Sequence, residues 1–181
     1  MSRRRDFSCA EVVGGIEATE LSVRLPGARG EIWAQPYGGA PAGGDVHYVA
    51  TCGVSQLSKV VLADVSGHGA AVADAARIIH AALVDNLNEH DNGRLLSSIN
   101  RAFVSRSPGA FHFTTMVASI YDSANRTLVY AYAGHPPLLL GRRSTGRFES
   151  LDYDHGVPIG VVDDVLYEQR HLALEVGDVL V

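Results

Sequence analysis

Hydrophobic and polar positions change period repeatedly along the chain, and each change marks an element. Residues 61–63 are an apolar run that ends in Asp64, and a turn containing two glycines, 66–69, follows Val65. From residue 70 the spacing switches: Val72, Ala75, Ala76, Ile79, Leu83 and Leu87 recur at i, i+3 and i+4, which predicts an amphipathic helix over 70–90. Asp91-Asn92-Gly93 breaks that helix and caps a second one over 94–104, which ends before Pro108. Upstream, 45–52 (DVHYVATC) and 59–65 read as the strands of a hairpin with its loop over 53–58. Residues 31–37 read as a strand and 38–44 (GGAPAGG) as a loop. Downstream, 111–121 and 126–133 are β patterns around the turn DSANR, apolar on both faces and so covered on both. Shorter strands are expected at 138–141, 166–174 and 179–181, with a hairpin tip at 144–146 and a Pro- and Gly-marked turn at 157–162. Near the start, 17–25 reads as a weak helix ended by Pro26-Gly27.

Two helices between runs of antiparallel strands predict an α+β layered domain, with stacked sheets inside and helices outside. At 181 residues and 46% hydrophobic content the chain supports one sizeable core. No apolar run approaches the ~20 residues of a membrane helix, and Arg3-Arg4-Arg5 is not followed by the apolar core of a signal peptide. The expected setting is therefore cytoplasmic, with no membrane insertion. Cys9 and Cys52 make no disulfide framework.

Charge narrows the chemistry. A net charge of −5 leaves no broad basic surface for a nucleic-acid backbone, and the three N-terminal arginines read as a solvated tail. Lys59 is the only lysine, which excludes a Walker-type phosphate loop and a Schiff base on any other lysine. Neither cysteine is followed by arginine at the C-x₅-R spacing, GVSQL at Gly53 lacks the second glycine of a nucleophile elbow, and the eight histidines show no zinc-ligand spacing. His80 and His90 read as surface residues of the first helix.

What remains is acidic. Asp45 begins one strand of the predicted hairpin and Asp64 closes the other, so the two lie at the same end of adjacent antiparallel strands. Carboxylates ~5 Å apart repel, and a divalent cation between them resolves the conflict. A plainer reading stands beside this one. Asp64 or Ser66 can cap the following helix, and Asp45 can be a turn aspartate bonding its own backbone.

Six motifs then fall in order: GGD (43–45), DVSGHG (64–69), FTTM (113–116), AGHPP (133–137), GVPIG (156–160) and GDVLV (177–181). Together they resemble the bacterial SpoIIE-type serine phosphatases, a branch of the metal-dependent type 2C (PPM) family. The resemblance implies a four-layer αββα sandwich with a two-metal Mn²⁺ or Mg²⁺ site at one end. It also implies hydrolysis of phosphoserine or phosphothreonine on a protein, commonly a STAS-type anti-anti-sigma factor in partner switching. By the resemblance, Asp64 bridges the metals, the carbonyl of Val65 ligates one, and Asp45 holds a metal directly or through water. Ser66, Gly67, His68, Gly69 and His135 are candidates for a surrounding shell or substrate rim; a capping role is equally open to His68, and a turn-stabilising role is the first reading of His135.

The chain departs from the pattern in three places. Val46-His47-Tyr48 stand where relatives carry aromatics and a second acid. Ser66 stands where eukaryotic relatives have a histidine two residues after the bridging aspartate, which leaves His68 as the candidate acid. The family's Thr-Asp-Gly metal ligand and a later aspartate are expected beyond Val181. The organisation expected is a tail and short helix over 1–30 and a phosphatase domain over 31–181, incomplete at its C-terminal side. Such a piece is expected to be metal-poor and slow or inactive, and to offer a sheet edge for homodimer formation. A catalytically silent, partner-binding domain of the same fold is the alternative.

Overall fold

The computed structural model describes residues 3–6, 12–52, 56–67, 70–106, 112–151 and 156–181, with backbone alone at 3–6 and 70–71. In chain order the elements are β1 (Arg3–Asp6), β2 (Val12–Gly15), β3 (Thr19–Leu25), β4 (Ala28–Ala34), β5 (Asp45–Cys52), β6 (Leu57–Val65), α1 (Ala70–Asp85), α2 (Asn92–Arg106), β7 (Thr114–Asp122), β8 (Thr127–Ala133), β9 (Leu139–Arg142), β10 (Arg147–Ser150), β11 (Gln169–Ala173) and β12 (Val179–Leu180). Six strands form the central sheet in the order β11-β8-β7-β6-β5-β2, and two three-stranded sheets, β10-β9-β12 and β1-β3-β4, accompany it.

Strand alternation sorts the central sheet's side chains onto two cores. Val46, Tyr48, Val61, Ala63, Val65, Met116, Ala118, Ala131 and Ala133 face α1 and α2, where Val72, Ala76, Ile79, Leu83, Leu95, Leu96, Ile99 and Phe103 cover them. Val117, Leu128, Tyr130 and Tyr132 point the other way and pack with Leu138, Leu140 and Leu151 around β9. Each fully buried Leu or Ile contributes roughly 1.5–3 kcal/mol. The expected α+β sandwich is present, with helices on one side of the central sheet and a second sheet on the other.

The start of the chain differs from expectation. Residues 17–25, read as a helix within a tail, form β3, which pairs antiparallel with β4 across Pro26-Gly27. Leu21, Val23 and Leu25 alternate with Ser22 and Arg24, a period of two that outweighs the helical propensities of Glu20 and Leu21. β1, holding Arg3 to Arg5, pairs parallel with β3, and β2 pairs with β5 in the central sheet. The region read as a tail therefore contributes strands. Cys9 and the loop residues 53–55 lie outside the described residues.

The first helix also ends earlier than its apolar pattern, at Asp85 rather than near residue 90. Beyond the stop the chain tightens into turns, with Leu87 N donating to Val84 O and Glu89 N to Asn86 O. Lys59, only 5% exposed on β6, donates from its ammonium to the carbonyls of Leu87 (2.9 Å) and Glu89 (2.6 Å) in that segment. Burial lowers the Lys59 pKa to about 8, with Glu89 acting in the opposite sense. Above pH 8 the folded protein has shed a proton that the unfolded chain keeps until about 10.4, so stability rises with pH across that window. The expected rise from Lys59 is about 2 kcal/mol between pH 8 and 10. Tyr48 and Tyr167, both pushed up to about 12 by burial, act in the opposite sense as pH nears 10, where unfolded tyrosines begin to ionise, and so blunt the rise at its upper end. Urea denaturation across this range should show the rise, and Lys59→Met should flatten it.

Candidate active site

The acidic pair sits where two strands reach the end of the central sheet. The β5–β6 register places Asp45 directly opposite Asp64, and the β6–β7 register places Thr115 opposite Asp64 in turn. Three polar side chains thus form a row across three strands, on the face away from α1 and α2. Both aspartates are exposed. Burial of the Asp64 carboxyl raises its pKa, and the charge of Asp45 raises it further, so the ionised pair is held in a state that a cation would relieve.

A close backbone approach builds the rest. Val65 N donates to Gly44 O at 3.2 Å. A Cβ on residue 44 would stand 3.0 Å from Val65 O and 2.7 Å from a Val72 methyl, so glycine is what leaves the Val65 carbonyl its space. Gly44→Ala should cost about 1–3 kcal/mol of stability, read as a lowered urea midpoint at unchanged slope.

The loop after β6 is tied to the start of β7. Ser66 N donates to Phe113 O (2.8 Å), Phe113 N donates to Ser66 Oγ (3.0 Å), and the His112 ring meets Ser66 O through Nδ1 at 3.1 Å. A carbonyl only accepts, so His112 carries its proton on Nδ1. Gly67 adopts φ +107°, and a Cβ there would lie 3.2 Å from Val72 and 3.8 Å from the His112 ring. His68 and Gly69 lie outside the described residues.

His135 comes to the other side of the row. Its Nδ1 is 3.0 Å from Thr115 Oγ1. Burial lowers its pKa, while the charge of Asp45 acts in the opposite sense. The GVPIG segment supports it from behind. Ile159 and Thr114 exchange backbone hydrogen bonds of 2.9 Å each, and Pro158 packs so closely that a Cβ on Gly134 would stand 2.5 Å from its ring.

Two members of this constellation carried no assignment in the sequence. Thr115 lies inside the FTTM motif, and its only signal was its place in a strand that could pair with β6. His112 had no signal at all. His47 is 5% exposed, with its pKa lowered by burial and then by His80. Among the described residues, no group of three or more His, Cys, Asp or Glu side chains converges to hold a metal. Asp45, Asp64 and the Val65 carbonyl are nonetheless hard oxygen donors of the kind Mg²⁺ and Mn²⁺ take. Among the described residues no helix is long and apolar enough to cross a membrane.

Known structures share this architecture. The RsbU and RsbW domains of Rv1364c from Mycobacterium tuberculosis match with a TM-score of 0.69 and 22% identity, over 94% of this chain and 42% of that one. The PP2C phosphatase domain of SpoIIE from Bacillus subtilis, with a fragment of its regulatory domain, matches at 0.66 and 18% identity, over 96% and 46%. RsbX in complex with magnesium matches at 0.62 and 16% identity, over 80% and 67%. The chain spans less than half the length of the first two. No curated protein matches it. A family model, stage II sporulation protein E (SpoIIE), matches residues 56–181, which is more than half of the chain. The chain belongs to the SpoIIE family.

Proposed function

We infer that the protein is a metal-dependent phosphoserine and phosphothreonine protein phosphatase, acting on a phosphorylated STAS-type partner. The observation that carries this reading is the register pairing of Asp45 with Asp64, with the Asp64 carboxyl pushed up in its pKa. Family membership and the magnesium bound to RsbX support it.

Asp45, Asp64 and the Val65 carbonyl would hold the metals. Bound Mn²⁺ or Mg²⁺ supplies an activated water and offsets the phosphoryl charge. The chain's own part is geometric. The β5–β6 register fixes the carboxylate spacing, Gly44 keeps the carbonyl clear, and the Ser66–Phe113 bonds hold the loop against β7. No lysine or arginine is required at the phosphoryl group, in keeping with the single lysine being buried elsewhere.

A second reading, a silent partner-binding domain, is favoured by the absence of a third acidic or histidine donor among the described residues. Phosphate release from a phosphorylated STAS-type protein, with and without Mn²⁺, separates the two. The phosphatase reading expects metal-dependent release by the full-length protein. Binding of that partner without release in any metal would establish the silent domain instead.

A further inference from the structure

A serine oxygen is a poor leaving group, and the hydrolysis inferred above requires that something protonate it as it departs. Apart from His47, which is buried on β5, two described imidazoles are bonded to the segments around the acidic row, and the structure distinguishes them. His112 is anchored on the backbone carbonyl of Ser66, in the loop behind β6. His135 is anchored on Thr115 Oγ1, at the end of the row that Asp45, Asp64 and Thr115 form on one sheet face.

The mounting of His135 is rigid. Gly134 sits at φ +68° under the Pro158 ring and bridges to Met116, Pro136 and Pro137 follow directly, and Leu138 N donates to the Tyr132 hydroxyl at 2.9 Å. Neither the backbone nor the ring is free to turn away, which is what a group that must meet a reacting atom requires. Thr115 engages Nδ1, so the other ring nitrogen, Nε2, is left for the substrate.

We propose that His135, oriented by Thr115, donates the proton to the departing serine or threonine oxygen. The proposal rests on the phosphatase reading. The ester P–O bond breaks with its electron pair going to the side-chain oxygen, which takes the Nε2 proton of the imidazolium. Water forms the new P–O bond and releases one proton, which restores the ring. Burial disfavours the imidazolium, while Asp45 and an arriving phosphate dianion favour it. His135 is thus the catalytic residue and Thr115 a positioning residue.

The test compares two substrates in the same preparations of full-length protein. A phosphoserine peptide needs its leaving oxygen protonated, whereas p-nitrophenyl phosphate releases a weakly basic anion that does not. Because each variant is its own control, partial unfolding cancels in the ratio. His135→Gln is expected to lose ~100-fold or more in kcat on the phosphopeptide and less than ~10-fold on p-nitrophenyl phosphate. Thr115→Val should show the same selective loss more weakly, and Thr115→Ser should return the ratio of the two rates to the wild-type value. His112→Gln should lower both rates equally or neither. Equal losses on the two substrates in His135→Gln, no loss, or a selective loss in His112→Gln would overturn the assignment. A wild-type protein inactive on both substrates would instead remove the phosphatase reading, and this proposal with it.

Discussion

Asp64→Asn is expected to abolish metal-dependent phosphate release, by ~10³-fold or more, while leaving the fold slightly more stable than the wild type. The two effects have opposite signs for one reason. Asp64 faces Asp45 across the β5–β6 ladder, and its pKa is raised by burial and then by that neighbour. A carboxyl whose folded pKa lies above its unfolded value binds a proton more tightly in the folded state. Without metal, stability therefore falls as pH rises through the window between the two values, and at neutral pH the charge is a liability. Asparagine keeps the shape and removes that charge, but it is a far weaker ligand for a hard cation. The stabilisation is small because both carboxyls are exposed and screened by water. Urea denaturation in EDTA and phosphate release in Mn²⁺ check the two halves separately. A variant that lost stability along with activity would place Asp64 in a structural role.

Asn100→Ala is expected to cost about 2–4 kcal/mol, among the largest single losses available outside the hydrophobic core. Asn100 is fully buried on α2. Its Nδ2 donates to Val162 O (2.7 Å) and Asp163 O (2.8 Å), and its Oδ1 accepts from Gly160 N (2.8 Å). Alanine leaves those backbone groups without this partner. Ser97 continues the same polar stripe with a 2.8 Å bond to Val165 O. One turn nearer the helix start, a Cβ on Gly93 would stand 2.2 Å from Tyr167 O, so the segment lies directly against the helix. Asn100→Asp should be at least as destabilising as alanine, because it turns two donor contacts into carbonyl–carboxylate repulsion in a buried place. Denaturation midpoints of the two variants check this. Parity of either variant with the wild type would contradict it.

These particulars show what was legible in the sequence. The hairpin that opposes Asp45 and Asp64 follows from two strong β patterns with a short loop, because register there is set by the flanking apolar faces. The same periodicity located α1, α2 and the long pair β7 and β8. The polar stripe of α2 was not legible. Asn92, Ser97 and Asn100 look like a solvated face, yet all three are buried: residues 160–165 bring backbone groups to Ser97 and Asn100 from sixty or more positions away, and Asn92 donates to Val129 O on β8. The place of Lys59 was not legible either, because nothing in a lone strand lysine announces that its ammonium meets the carbonyls of Leu87 and Glu89, which follow α1. β3 was missed for a local reason, since a short run holding both Glu and Leu satisfies helix and strand templates at once. The Thr115–His135 contact joins two motifs that stand apart in the sequence, FTTM and AGHPP, and only the fold places them together.

The most direct test of the central claim is a Mn²⁺ titration of the protein, following the free ion by electron paramagnetic resonance, for the wild type and for Asp64→Asn. The acidic pair as metal centre predicts saturable binding in the wild type and at least ~10-fold weaker binding in the variant. Equal affinity in the two proteins, or no saturable binding in the wild type, would contradict it.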